Sequence, residues 1–256
     1  MKIWFEGFCS AFSMYSIFPV PGVRWTSESR RYALCFFPLI GVAISGILLL
    51  WYWVCVRLQV TGALFAAVAA LLPTIISGGI HMDGFMDTMD AQSSHSLMEK
   101  KMEILKDPHV GAFGVLACAG SLLLQFGLWQ QVYQRPWLVS FPAMGAVLSR
   151  ALNGLSIATF PCAKESGLVY AFSSSAARPV VRMSCLLFAA ASCFICMGIS
   201  LRWGCVMTLA AAACFFAHKR FCIWEFGGNT GDLAGFLLHN VELICLITAA
   251  VGGTLG

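Results

Sequence analysis

Charge is scarce in this sequence. Only 11% of the 256 residues are Asp, Glu, Lys or Arg, against 59% hydrophobic, where soluble domains average about 25% charged residues. The mean hydropathy is +0.80. These values exclude a water-soluble globular surface. Long polar stretches are also missing, so no separate soluble domain is expected and residues 1–256 read as one membrane domain. An internal repeat of the transporter type is absent. Residues Met1-Lys2-Ile3-Trp4-Phe5-Glu6 lack the apolar core and small-residue cleavage site of a secretory signal. They predict a short interfacial helix, with Trp4, Phe5, Phe8 and Phe12 toward lipid and Glu6 toward water. Cysteine is plentiful by contrast, at 12 residues, but it is scattered through apolar runs. Cys193 and Cys196 have CxxC spacing without a second pair nearby, and the set reads as small buried hydrophobes.

What the chain has is hydrophobic length. Seven runs approach the roughly 20 residues that a bilayer requires: 32–56, 60–80, 110–134, 136–160, 180–201, 203–222 and 233–254. The fold class is therefore all-α, a polytopic integral membrane bundle of about seven transmembrane helices plus short interfacial helices. Seven crossings sort the charges. Of 16 basic residues, Lys2, Arg24, Arg30, Arg31, Lys100, Lys101, Lys106, Lys164, Arg178, Arg182, Lys219 and Arg220 fall on one side. Only Arg57, Arg135 and Arg202 fall on the other, and Arg150 lies within a span. The positive-inside rule makes the basic side cytoplasmic. Every loop carboxylate lies on that same side, and six crossings would scatter the basic loops across both.

The acids concentrate in Gly78-Gly79-Ile80-His81-Met82-Asp83-Gly84-Phe85-Met86-Asp87-Thr88-Met89-Asp90. At 100° per residue, Asp83, Asp87 and Asp90 share an arc of about 60° on a helix. Three carboxylates that close do not all stay ionised without a positive partner, and their apolar flanks argue against a merely solvated loop. Oxygen-only ligands suit a hard cation such as Mg²⁺, which shares its sphere with phosphates. His81 lies off the Asp face, which favours a base or supporting role over metal ligation. Downstream, Leu97–Lys106 predicts an amphipathic interfacial helix, and Lys106-Asp107 with Gly111-Ala112-Phe113-Gly114 suits a phosphate-facing turn.

Near the C-terminus, Gly227-Gly228-Asn229-Thr230-Gly231-Asp232 opens the last run. Two readings stay open: a glycine turn presenting N–H groups to an anion, and a plain helix entry capped by Thr230 or Asp232. Gly235, His239 and Glu242 repeat the i, i+4, i+7 spacing of the aspartates. Glu242, roughly 15 Å into that helix, and Arg150 are intramembrane charges of the kind that usually serve function. For Arg150 a phosphate or carboxylate contact in a cavity is favoured over snorkelling. Spacing and topology thus lead to membrane-bound phosphoryl transfer.

These segments resemble one family, the cobalamin synthases. Phe18-Pro19-Val20-Pro21, Phe37-Pro38-Leu39-Ile40-Gly41, the His81–Asp90 signature, Met102–Asp107, Gly111–Gly114 and Gly227–Asp232 carry the likeness along almost the whole chain. Met86, Ala91, Pro108-His109 and His239 depart from the family's common residues; an acid is common at the last position. The resemblance implies joining of adenosylcobinamide-GDP to α-ribazole or its 5′-phosphate with release of GMP. It implies Mg²⁺ on Asp83, Asp87 and Asp90, and a proton acceptor among these acids or His81. Substrate contacts are expected from Lys106, Asp107, Arg150, Gly228, Thr230, Gly231, Asp232 and Glu242. The expected location is the bacterial inner membrane with the site facing the cytoplasm. Expected partners are the corrinoid nucleotide, α-ribazole and membrane lipid, with no nucleic acid; an oligomer stays open. Two rivals remain. A CDP-alcohol phosphotransferase-like or prenyltransferase-like enzyme would use other aspartate spacings, and a cation-coupled transporter would place acids at mid-membrane.

Overall fold

A computed structural model describes residues 2–22 and 25–255; Arg24, counted above among the basic residues, lies outside them. Twelve α-helices occur among the described residues: α1 (Lys2–Tyr15), α2 (Ser27–Arg30), α3 (Ala33–Arg57), α4 (Gly62–Ile76), α5 (Ile80–Ser93), α6 (Met98–Ile104), α7 (Ala112–Tyr133), α8 (Ser140–Thr159), α9 (Gly167–Ser175), α10 (Arg178–Ile199), α11 (Leu201–Phe226) and α12 (Gly231–Leu255). A 3-10 turn, Pro136–Val139, leads into α8. Six helices are long and apolar enough to cross a membrane: α3, α7, α8 with its 3-10 turn, α10, α11 and α12. Their outer faces carry leucine and phenylalanine, such as Leu123, Leu187, Phe194 and Leu209, as lipid contact requires. The protein is a multi-pass, all-α membrane bundle.

The second expected span departs from a simple crossing. α4 is 15 residues long, about 22 Å at 1.5 Å per residue, which is short of a hydrocarbon core of about 30 Å. It breaks at Gly78 and Gly79, whose φ angles of +64° and +82° suit glycine. The chain then turns by 93° into α5, and the bent pair together has the composition of one crossing. The bend carries the acidic helix away from the direction of α4.

α8 is almost wholly buried and sits at the centre, packed by α3, α10 and α12. Small residues permit these contacts, as is common between membrane helices. α5 crosses the start of α12 at Gly84 and Gly235. A Cβ on Gly84 would stand 2.8 Å from the Asp232 backbone, and one on Gly235 2.9 Å from the His81 carbonyl oxygen.

α1 differs from its expected lipid-facing orientation. Trp4 and Phe5 are exposed, but Trp4 also stacks on Tyr32 at 4.3 Å. Phe8 meets Phe36 edge-on at 5.8 Å, and Phe12 lies near Phe18. Aromatic partners near the start of α3 draw this face inward.

Candidate active site

The start of α5, the end of α8, the start of α9 and the start of α12 meet at one end of the bundle. They enclose a cavity of about 240 Å³ lined by His81, Asp83, Asn153, Asp232, Tyr15 and several apolar side chains. Asp83 is exposed, whereas His81 is buried and stacks beside Tyr15 at 6.0 Å. The imidazole Nε2 of His81 has no hydrogen-bond partner. Asp87 is half-buried, and Asp83, Asp232 and Asp90 all bring negative charge to bear on it. Asp232 thus joins the acidic group from a distant segment.

Asp90 is turned elsewhere. Its two carboxylate oxygens accept the N–H groups of Gly111 and Gly114, each at 2.8 Å. Both bonds fall at the N-terminus of α7, where unpaired donors and the helix dipole favour an anion. A Cβ on Gly111 or Gly114 would collide with this carboxylate, so glycine at both positions belongs with Asp90. Asp90, expected as a metal ligand, caps a neighbouring helix here because packing brings α7 against it. Among the described residues no three His, Cys, Asp or Glu side chains converge as a ready-made metal cage.

A second cavity of about 470 Å³ adjoins the first and shares Leu168, Val169, Gly231 and Asp232 with it. Lys106, Lys164, Asn229 and Thr230 line its other walls. Burial and the adjacent Lys106 hold the Lys164 ammonium below the usual lysine range, with Asp232 opposing. Thr230 caps α12, its hydroxyl accepting the Leu233 N–H at 3.2 Å. The capping reading of this turn therefore holds, and the turn also borders the cavity. Asp107 lies exposed and accepts the His109 N–H at 3.0 Å in a local turn. Gly228 has another task. A Cβ there would stand 2.5 Å from the Ala163 nitrogen, where Asn229 and the 161–163 segment pair their backbones in a short bridge.

Arg150 and Glu242, expected among the substrate contacts, pair with each other in the core. Arg150 is fully buried, and its Nη1 donates to Glu242 Oε1 at 2.5 Å and to the Ala146 carbonyl at 2.9 Å. Its Nε and Nη2 have no protein partner. A small polar hollow between Arg150, Glu242, His239, Thr74 and Ser77 also reaches His81. The pair therefore supports the site from behind. His239 bonds Ser121 at 2.7 Å and lies on Phe85.

Sequence reading missed two further positions. Lys101, expected on a solvated face, is buried between Gln92 and Glu225. Lys164, in sequence one more basic residue on the cytoplasmic side, lines the second cavity.

The model of the family described as cobalamin-5-phosphate synthase matches residues 7–250. The chain belongs to this family. Three members are adenosylcobinamide-GDP ribazoletransferases. The Lachnoclostridium phytofermentans protein is 39% identical, covering 97% of this chain and 94% of its own. The Pseudomonas syringae pv. syringae protein is 34% identical over 91% and 93%, and one from Clostridium botulinum is 30% identical over 98% and 99%. No solved structure matches the chain. Membership of the cobalamin synthase family sets aside the phosphotransferase-like, prenyltransferase-like and transporter alternatives.

Proposed function

We propose that the protein is an adenosylcobinamide-GDP ribazoletransferase acting late in assembly of the cobalamin nucleotide loop. One observation carries the reading: Asp83, Asp232 and His81 meet around one cavity in a chain that matches the family over nearly its whole length. A ribose hydroxyl oxygen of α-ribazole, or of its 5′-phosphate, forms a bond to the phosphorus that carries cobinamide. The bond from that phosphorus to the bridging oxygen breaks, and GMP leaves with the oxygen. Such transfers depend on positioning and on neutralising charge.

The donor set suits Mg²⁺, which commonly takes one or two carboxylates and completes its sphere with water and substrate phosphates. Asp83 and Asp87 would hold it, and Asp232 adds negative charge beside them. When bound, the ion neutralises charge on the diphosphate. His81 accepts the hydroxyl proton, a role supported by its partnerless Nε2 and its place in the cavity with Asp83. Lys106 and the start of α12 contact phosphate. The corrinoid nucleotide and ribazole are the partners, in a lipid bilayer. The bacterial inner membrane, with the site facing the cytoplasm, fits the one-sided carboxylates and basic loops.

The test is incubation of purified protein with adenosylcobinamide-GDP, α-ribazole and Mg²⁺, scoring GMP. Release is expected, falling to background in EDTA and returning when Mg²⁺ is restored. Folded protein that releases no GMP with Mg²⁺ present would sink the reading.

A further inference from the structure

Lys106 and Lys164 approach from separate parts of the chain. Lys106 follows α6, and Lys164 lies in the loop between α8 and α9. The backbone bridge from the 161–163 segment to Asn229 anchors that loop beside the α12 turn. Both ammonium groups line the wall of the 470 Å³ cavity, near enough for the charge of Lys106 to bear on Lys164. Neither belongs to an ion pair formed by the described residues. Two cations held together repel unless an anion lies between them. Asp232 is the one carboxylate in that lining, and it stands at the seam with the first cavity, on the side of Asp83 and Asp87. Thr230 and the N-terminus of the 25-residue α12 complete the wall, a setting that favours phosphate.

We infer that Lys164 and Lys106 form a two-lysine clamp for a phosphate of the nucleotide substrate, with Lys164 a binding residue for the departing GMP portion. The inference rests on the proposed function and deepens it. It divides the site: the lysine cavity takes the nucleoside phosphate, and the His81–Asp83 cavity takes the acceptor. Charge is then met from two sides, by ammonium groups on one phosphate and by the carboxylate-bound cation on the other.

The experiment uses the full chain in neutral phosphatidylcholine nanodiscs and in nanodiscs containing phosphatidylglycerol. GMP binding and steady-state kinetics are measured for the wild type, Lys164→Met, Lys106→Met and Lys164→Arg. Charge-assisted hydrogen bonds have a size that makes about a tenfold effect the expectation. Each methionine variant should weaken GMP binding by about that factor and raise KM for adenosylcobinamide-GDP, leaving KM for α-ribazole unchanged. Lys164→Arg should restore most of the loss, and lipid composition should not alter it. Unchanged GMP affinity in both methionine variants overturns the clamp, as does wild-type protein that binds no GMP. An effect seen only with phosphatidylglycerol also overturns it, because the site would then serve a lipid headgroup. Absence of turnover by wild type, with lysine-dependent GMP binding intact, sinks the ribazoletransferase reading and leaves the phosphate site standing.

Discussion

Asp83 and Asp90 sit on one face of α5 but have different surroundings. Asp83 is exposed at a cavity, while Asp90 holds two backbone N–H groups of α7. Their asparagine variants should therefore fail differently. Asp83→Asn should lower kcat by about 10²–10⁴-fold with little change in thermal stability. Asp90→Asn should cost about 0.5–2 kcal/mol, the range for a lost helix cap, and lower the melting temperature. The Mg²⁺ concentration giving half-maximal GMP release should stay near the wild-type value in Asp90→Asn. A large rise in that concentration would instead make Asp90 a metal ligand.

At the scale of elements, α6 is fastened to the bundle from beneath. Lys101 reaches Gln92 of α5 and Glu225 of α11, with 6% of its side chain exposed. Glu225 is 39% exposed, which screens the pair and reduces its worth below that of a fully buried one. Lys101→Met should lower stability by about 1–3 kcal/mol and open α6 to limited proteolysis. Lys100 pairs with Glu103 on the open surface, at 63% and 65% exposure. Lys100→Met should leave the melting curve unchanged. Similar melting of the two variants would remove the anchoring role of Lys101. Because Lys106 follows directly from α6, this anchor also bears on the lysine cavity.

For the whole molecule, α8 forms the axis and the site lies at one end of it. The Arg150–Glu242 pair ties α8 to α12 inside that axis. Arg150→Met alone leaves a carboxylate without its partner and should cost about 3–5 kcal/mol. Combining it with Glu242→Leu should recover part of that loss, since the two changes couple. A double variant less stable than Arg150→Met would refute the account. Sidedness tests the charge argument: inverted membrane vesicles should release GMP from added substrates, and sealed right-side-out vesicles should not. The opposite pattern would reverse the proposed orientation.

Hydropathy and helical period were enough to establish a multi-pass helical bundle and to put Asp83, Asp87 and Asp90 on one face, because both properties are local. Charge sorting between runs needed only their order along the chain. The broken second crossing was half-legible: Gly78-Gly79 marked a turn, but its 93° bend depends on how α5 seats against α12. Tertiary structure alone decided that Asp232 joins Asp83 and Asp87, that Asp90 caps α7, that Arg150 answers Glu242 and that Lys164 stands beside Lys106. Lys101 and Glu225 are 124 residues apart, and Arg150 and Glu242 are 92 apart. A local pattern shows that a charge is costly where it lies, but packing between helices selects the partner that offsets the cost.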